Sequence, residues 1–162
     1  YTNAGKTSLF NLLTKKKKIV ENALFVTLDS VTGKLYLPTL KKEVTISDTI
    51  GFIKDLPSSL IDSFKSTLME SIYADVILHV IDIRDPKMDE KIEIVEEILQ
   101  ELKINAKKII FVFNKIDAFK GDGKKLLTEI KNKYGHFAPQ FISVTTDYGI
   151  QKLKNEIERS IM

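Results

Sequence analysis

A chain of 162 residues with 43% hydrophobic and 29% charged side chains has the composition of a single globular domain, which excludes disordered and fibrous classes. It contains no cysteine, so disulfides, thiolate nucleophiles and cysteine-ligated zinc are removed together. The net charge of +3 rests on 25 basic residues, of which only Arg84 and Arg159 are arginine, and this charge balance points strongly to no partner. The strongly apolar stretches, such as 76–81, have strand length, so no membrane span or membrane partner is expected, and the cytoplasm is the expected location.

The chain opens Tyr1-Thr2-Asn3-Ala4-Gly5-Lys6-Thr7, the phosphate-loop pattern G-x-x-x-x-G-K-S/T with its first glycine falling one place ahead of Tyr1. A helix is expected over residues 6–13. Backbone N–H groups of such a loop ring phosphates at a helix N-terminus, where unsatisfied amides and the dipole favour anions. Lys6 is expected to neutralise the terminal phosphates, Thr7 to bind magnesium through its hydroxyl, and Ser8 to complete the nucleotide-binding stretch; an ordinary lysine-bearing helix cap is the structural alternative. The lysine run at 15–18 reads as a solvated loop, with contact to RNA phosphates as the alternative.

Next comes Phe25-Val26-Thr27-Leu28-Asp29, a segment of little helical character in which Thr27 can offer a second hydroxyl to magnesium or simply be a strand threonine. A two-stranded ribbon is expected at 33–37 and 43–47. Asp48-Thr49-Ile50-Gly51 follows, placing the carboxylate of Asp48 at a strand end, where it can hold magnesium through water. Gly51 has no side chain to obstruct the approach of its N–H to a terminal phosphate.

From there strands and helices alternate: a helix at 58–72, a strand at 75–82, a helix at 88–102 with Ile92, Val95, Ile98, Leu99 and Leu102 on one face, and a strand at 108–113. At the end of that strand stands Asn114-Lys115-Ile116-Asp117. A carboxylate placed as Asp117 accepts hydrogen bonds from both the ring N–H and the exocyclic amino group of guanine, a donor pair that adenine lacks, so the expected base is guanine and an ATPase is disfavoured. A helix at 124–133, a short strand at 140–143, the segment Ser143-Val144-Thr145 and a last helix at 150–161 complete the series. Backbone amides of Ser143, Val144 and Thr145 are expected to face the guanine carbonyl oxygen. His79, between Leu78 and Val80 inside a strand, reads as a packed histidine rather than a general base, and His136 carries no role. The alternation implies an α/β domain whose mostly parallel sheet is covered on both sides, with the ribbon as an antiparallel edge, and the motifs fall at strand ends where open parallel sheets bind ligands.

Tyr-Thr-Asn-Ala-Gly-Lys, Leu24-Phe25-Val26-Thr27-Leu28-Asp29, Asp48-Thr49-Ile50-Gly51-Phe52-Ile53-Lys54-Asp55-Leu56-Pro57 and Leu78-His79-Val80-Ile81-Asp82 together resemble the GTPase domain of the HflX family, within the superfamily related to translational GTPases. The resemblance implies a three-layer P-loop GTPase fold, GTP and GDP binding, hydrolysis dependent on magnesium, and action as a monomer on the large ribosomal subunit, separating or rescuing ribosomes under stress with possible contact to ribosomal RNA. It also implies that residues 1–162 form one GTP-binding domain whose first strand and first phosphate-loop glycine belong ahead of Tyr1, and that the family's amino-terminal domain and helical linker lie further upstream. The closing segment departs from the family's Ser-Ala-Lys at Val144 and Thr145.

Lys6, Thr27 and Gly51 are the expected catalytic positions. Where many GTPases carry a water-orienting glutamine, this chain has Phe52, which cannot hydrogen-bond through its side chain, and no arginine occurs in residues 1–83 to serve as an internal finger. Slow intrinsic turnover accelerated by a partner is therefore expected. Two other readings remain: a nucleotide-gated binding module with negligible hydrolysis, and an RNA-binding domain working through the 15–18 lysines, whose affinity falls steeply with salt and ignores GTP.

Overall fold

The computed structural model describes residues 3–15, 31–48, 73–101 and 108–162. The runs at 76–81 and 109–113 are apolar at nearly every position, the signature of strands buried on both faces. They form β3 (Val76–Asp82) and β4 (Lys108–Asn114), paired in parallel from Val76 opposite Lys108 to Asp82 opposite Asn114. A short β5 (Gln140–Phe141) extends the sheet in parallel on the other side of β4. Around it run α1 (Lys6–Thr14), α2 (Met88–Glu101), α3 (Gly123–Tyr134) and α4 (Ile150–Ile161).

The two-residue period of β4 divides the core. Ile110 and Val112 face one way, packing with Leu9 and Leu13 of α1 and Leu153 and Ile157 of α4. Phe111 and Phe113 face the other way, against Ile92 of α2 and Ile130 and Tyr134 of α3. Helices on both faces of a parallel sheet give the three layers expected from the sequence. Phe111 stacks on Phe137 with ring centroids 4.1 Å apart, and Phe113 on Phe141 at 5.5 Å. Asp122 caps α3 by accepting from the amide of Lys125 at 3.1 Å, a bond whose loss typically costs about 1 kcal/mol.

The ribbon forms as expected from β1 (Val31–Leu37) and β2 (Lys42–Asp48), antiparallel from Val31 opposite Asp48 to Leu37 opposite Lys42. Leu35 and Leu37 turn inward and Lys34 and Tyr36 outward, the alternation of a sheet with one wet face. Gly33 lies under α1: a Cβ there would stand 2.6 Å from Thr14 Cγ2 and 2.9 Å from Phe10 Cζ, so this position lets helix and ribbon close up. Among the described residues the ribbon is a separate two-stranded sheet, not hydrogen-bonded to β3. A groove of about 550 Å³ runs between them, lined by Leu9, Leu13, Val44, Ile46, Val76 and Leu78 among others.

Three features differ from expectation, the first being that among the described residues the ribbon is a sheet of its own rather than an edge of the parallel sheet, since no backbone hydrogen bonds join it to β3. The strand placed at 140–143 stops at Phe141, because the chain turns and Ser143 pairs instead with Tyr148 in an isolated antiparallel bridge. Two 3₁₀ turns, Ile116–Ala118 and Gly135–Phe137, were not foreseen, being too short to leave a period in sequence. The helix expected at 58–72 lies outside the described residues.

His79 is a core residue, 7% exposed, set edge-on to Phe111 with centroids 5.0 Å apart and with no partner on Nδ1. Burial, helped by the positive charge of Lys6, lowers its pKa from 6.5 to about 3. Between those values the unfolded chain binds a proton that the folded chain refuses, so stability is fully present above pH 6.5 and falls as the pH drops toward 3. Urea midpoints taken from pH 7 to pH 4 should show this loss at up to about 1.4 kcal/mol per pH unit, and His79→Leu should flatten that part of the profile.

Candidate functional site

The site gathers where β4 ends and α1 begins. Gly5 caps α1 at φ 93°, without a side-chain hydrogen bond to the first turn and with no acidic residue there, so no carboxylate of that turn offsets the positive end of the helix dipole. Asn3 is also left-handed at φ 61°, and alternating left-handed positions turn successive N–H groups inward as an anion-binding concavity. A Cβ on Gly5 would lie 2.4 Å from Asn114 Nδ2, so a second reason for glycine, beyond φ, is the close passage of Asn114.

Asn114, 2% exposed, ties three segments together. Its Nδ2 donates to Ala4 O in the phosphate loop at 2.9 Å, and its Oδ1 accepts from Val144 N at 3.3 Å. Lys115, at φ 68°, reaches back to donate from Nζ to Asn3 O at 2.6 Å. Ile116 N donates to Ile142 O at 3.3 Å, which fixes the following 3₁₀ turn, and Asp117 within that turn is exposed. Asn114 and Lys115 thus face the loop while Asp117 is left open toward solvent.

The closing segment is braced rather than open at two of its three positions. Ser143 N donates to Tyr148 O at 3.0 Å, Ser143 Oγ accepts from Thr146 N at 3.1 Å, and Val144 N is held by Asn114. Thr145 is exposed.

On the other side of α1, Thr7 Oγ1 donates to Asp48 Oδ2 at 3.0 Å, with Asp48 only 5% exposed at the end of β2. The sequence separates these oxygens by 41 positions and the fold makes them neighbours. A hydroxyl and a carboxylate are hard oxygen ligands, and among the described residues no cluster of three or more histidine, aspartate or glutamate side chains forms an all-protein cage. That donor set fits magnesium, which keeps several waters and is held by one or two protein oxygens together with substrate phosphates.

Lys6 and Ser8 lie at the start of α1, both half-buried. Tyr1, Thr2, Phe25, Val26, Thr27, Leu28, Asp29, Thr49, Ile50 and Gly51, with Phe52, lie outside the described residues. Sequence reasoning missed Asp82 and Arg84. Asp82 Oδ2 sits 2.8 Å from Lys115 Nζ, and Arg84 grips the same carboxylate. Burial pushes the Asp82 pKa up, but hydrogen bonds from Arg84 and Lys115 outweigh it and bring the pKa down to about 2. Only the β3–β4 register, which sets Asp82 opposite Asn114, could have revealed this pairing.

Comparison with known proteins agrees with this geometry. Residues 1–115 match the family described as 50S ribosome-binding GTPase. A GTPase HflX of Caldanaerobacter subterraneus is 48% identical over 139 residues, 83% of this chain and 32% of the relative. A GTPase HflX of Lacrimispora saccharolytica is 44% identical over 98% of this chain and 36% of its own. Among solved structures, a GTP-binding protein from the archaeon Sulfolobus solfataricus in complex with GDP superposes with a TM-score of 0.77 at 28% identity, covering 99% of this chain and 50% of the other. The chain spans about a third of the length of these curated relatives.

Removing the central carboxamide tests its role. Asn114→Ala leaves the Ala4 carbonyl and the Val144 amide without their partner, and should lower unfolding free energy by about 1–3 kcal/mol as read from urea denaturation.

Proposed function

Because the chain belongs to the 50S ribosome-binding GTPase family, among the HflX-type members, we propose that it binds guanine nucleotides in the cleft between the phosphate loop and the Asn114–Asp117 turn and hydrolyses GTP to GDP and phosphate. The observation that carries this reading is Asn114: one buried side chain holds the phosphate loop and the base-reading turn at a fixed separation, with Asp117 exposed beside them. A carboxylate so placed pairs with the two adjacent donors of guanine.

Phosphoryl transfer asks the protein mainly to position groups and to neutralise charge. The amides of residues 3–7 and the ammonium of Lys6 take the phosphates. Thr7 and Asp48 offer the oxygens for magnesium, which when bound supplies charge neutralisation at the β- and γ-phosphates. Thr27 and the Gly51 amide are the remaining proposed contacts to metal and γ-phosphate. Phe52 follows Gly51 and cannot orient water through its side chain, so the chain is slow by itself and depends on a partner to order the segments around Thr27 and Gly51. The family's description, 50S ribosome-binding GTPase, supports the large ribosomal subunit as that partner, and the cytoplasm is the setting proposed with it. No described helix is long and apolar enough to cross a membrane. One apolar core shared by α1, β1, β3, β4 and α4 supports reading the chain as a single GTP-binding domain.

GTP turnover with magnesium, with and without purified large ribosomal subunits, tests this reading. The expected result is slow basal hydrolysis that the subunits accelerate; tight GTP binding without turnover under either condition would replace it with a nucleotide-gated binding module. Base choice has its own check. Asp117→Asn should weaken GTP relative to xanthosine triphosphate by roughly 10- to 100-fold in competition binding, the worth of hydrogen bonds to a charged group.

A further inference from the structure

Asn3 and Lys115, two of the six described non-glycine residues with left-handed backbone, are joined by one hydrogen bond, Lys115 Nζ to Asn3 O at 2.6 Å. Such conformations are uncommon outside glycine and persist when their surroundings hold them. What holds Lys115 is Asp82, whose Oδ2 lies 2.8 Å from the same Nζ. The lysine is therefore pinned at both sides, by a carboxylate at the end of β3 and by a carbonyl of the phosphate loop. Asp82 is itself fixed: its Oδ1 accepts from the backbone N and the Nε of Arg84, each at 3.0 Å, and its Oδ2 accepts from Arg84 Nη2 at 2.9 Å. Arg84 remains accessible, with its side chain 43% exposed.

We propose that Asp82 is a positioning residue for guanine-nucleotide binding, holding the Lys115 ammonium against Asn3 so that the phosphate loop and the base-reading turn are locked together before the nucleotide arrives. The register makes this possible, because Asp82 is the β3 residue opposite Asn114 and so lies next to the residue that follows it. Lysine has a flexible four-carbon stem with considerable rotamer freedom, and a carboxylate that fixes its head removes that freedom in advance of binding. Arg84 supplies the second positive charge that keeps Asp82 ionised when it is partly buried. A surface ion pair between two neighbouring strands would have no such consequence.

The inference rests on the guanine-nucleotide reading, and the experiment separates the two. GDP affinity and release rate are measured with a fluorescent GDP analogue for the unaltered protein, Asp82→Asn, Lys115→Ala and the double variant, with urea midpoints of each in the absence of nucleotide. The expected result is a loss of roughly 10-fold in affinity for Asp82→Asn, chiefly as faster release, and a double variant that binds no more weakly than Lys115→Ala alone. Losses that multiply in the double variant, or an Asp82→Asn protein with unchanged affinity, would overturn the proposal while the guanine-nucleotide reading stands. An unaltered protein that fails to bind GDP would overturn both. If Asp82→Asn does not fold, Asp82→Glu, which keeps the charge but displaces it by one methylene, is read against Lys115→Ala by the same criterion.

Discussion

One carboxamide sets the geometry of the whole site. Asn114 is buried at the carboxyl end of β4, and its two ends bond to backbone groups 110 residues before it and 30 residues after it. Backbone carbonyls and amides at the ends of loops must find partners when they are buried, and here a single side chain satisfies one of each. Gly5 is shaped around it, since any Cβ at that position would run into the Asn114 nitrogen. The loop ahead of α1, the Asn114–Asp117 turn and the segment after β5 are thus placed relative to one another by one residue.

That residue can be placed so closely because β4 is held on both faces. Phe111 and Phe113 are gripped by the aromatic and aliphatic layer beneath α2 and α3, and Ile110 and Val112 by the layer beneath α1 and α4. A strand packed at the density of a protein interior has little freedom to slide, and its last residue inherits that fixity. The same layer carries α1 against the ribbon through Gly33, and so brings Thr7 to Asp48. The Thr7–Asp48 oxygen pair and the cleft beside Asn114 are therefore two ends of one packing arrangement.

Charge around the cleft is arranged in pairs and triads. Lys115 is shared between Asp82 and the Asn3 carbonyl, and Arg84 completes the neutralisation of Asp82. Away from the cleft, Asp89 accepts from Tyr134 Oη at 2.7 Å and pairs with Lys133, which joins α2 to α3, and Lys108 pairs with Glu156, which joins β4 to α4. These outer pairs are partly solvated and contribute modestly to stability. The inner group matters for orientation, because it holds side chains in conformations that the loop backbone alone would not select.

Local chemistry made much of this legible in the sequence. Helical period marked α2 and α4, continuous apolar runs marked β3 and β4, and the Gly5-Lys6-Thr7 and Asn114–Asp117 patterns marked segments that the fold brings together. The short end of β5, the 3₁₀ turns and the separation of the ribbon from the parallel sheet were not legible, because each depends on where backbone hydrogen bonds go after packing. The Asp82–Lys115–Asn3 link was hidden for the same reason: the three residues lie far apart in the chain, and only the register of β3 against β4 and the path of the phosphate loop make them neighbours. Sequence alone determined the element types and the segments that meet at the candidate site, since those follow from side-chain pattern and functional groups. Tertiary structure decided which charges and carbonyls face one another, since that is set by burial on both faces of the sheet.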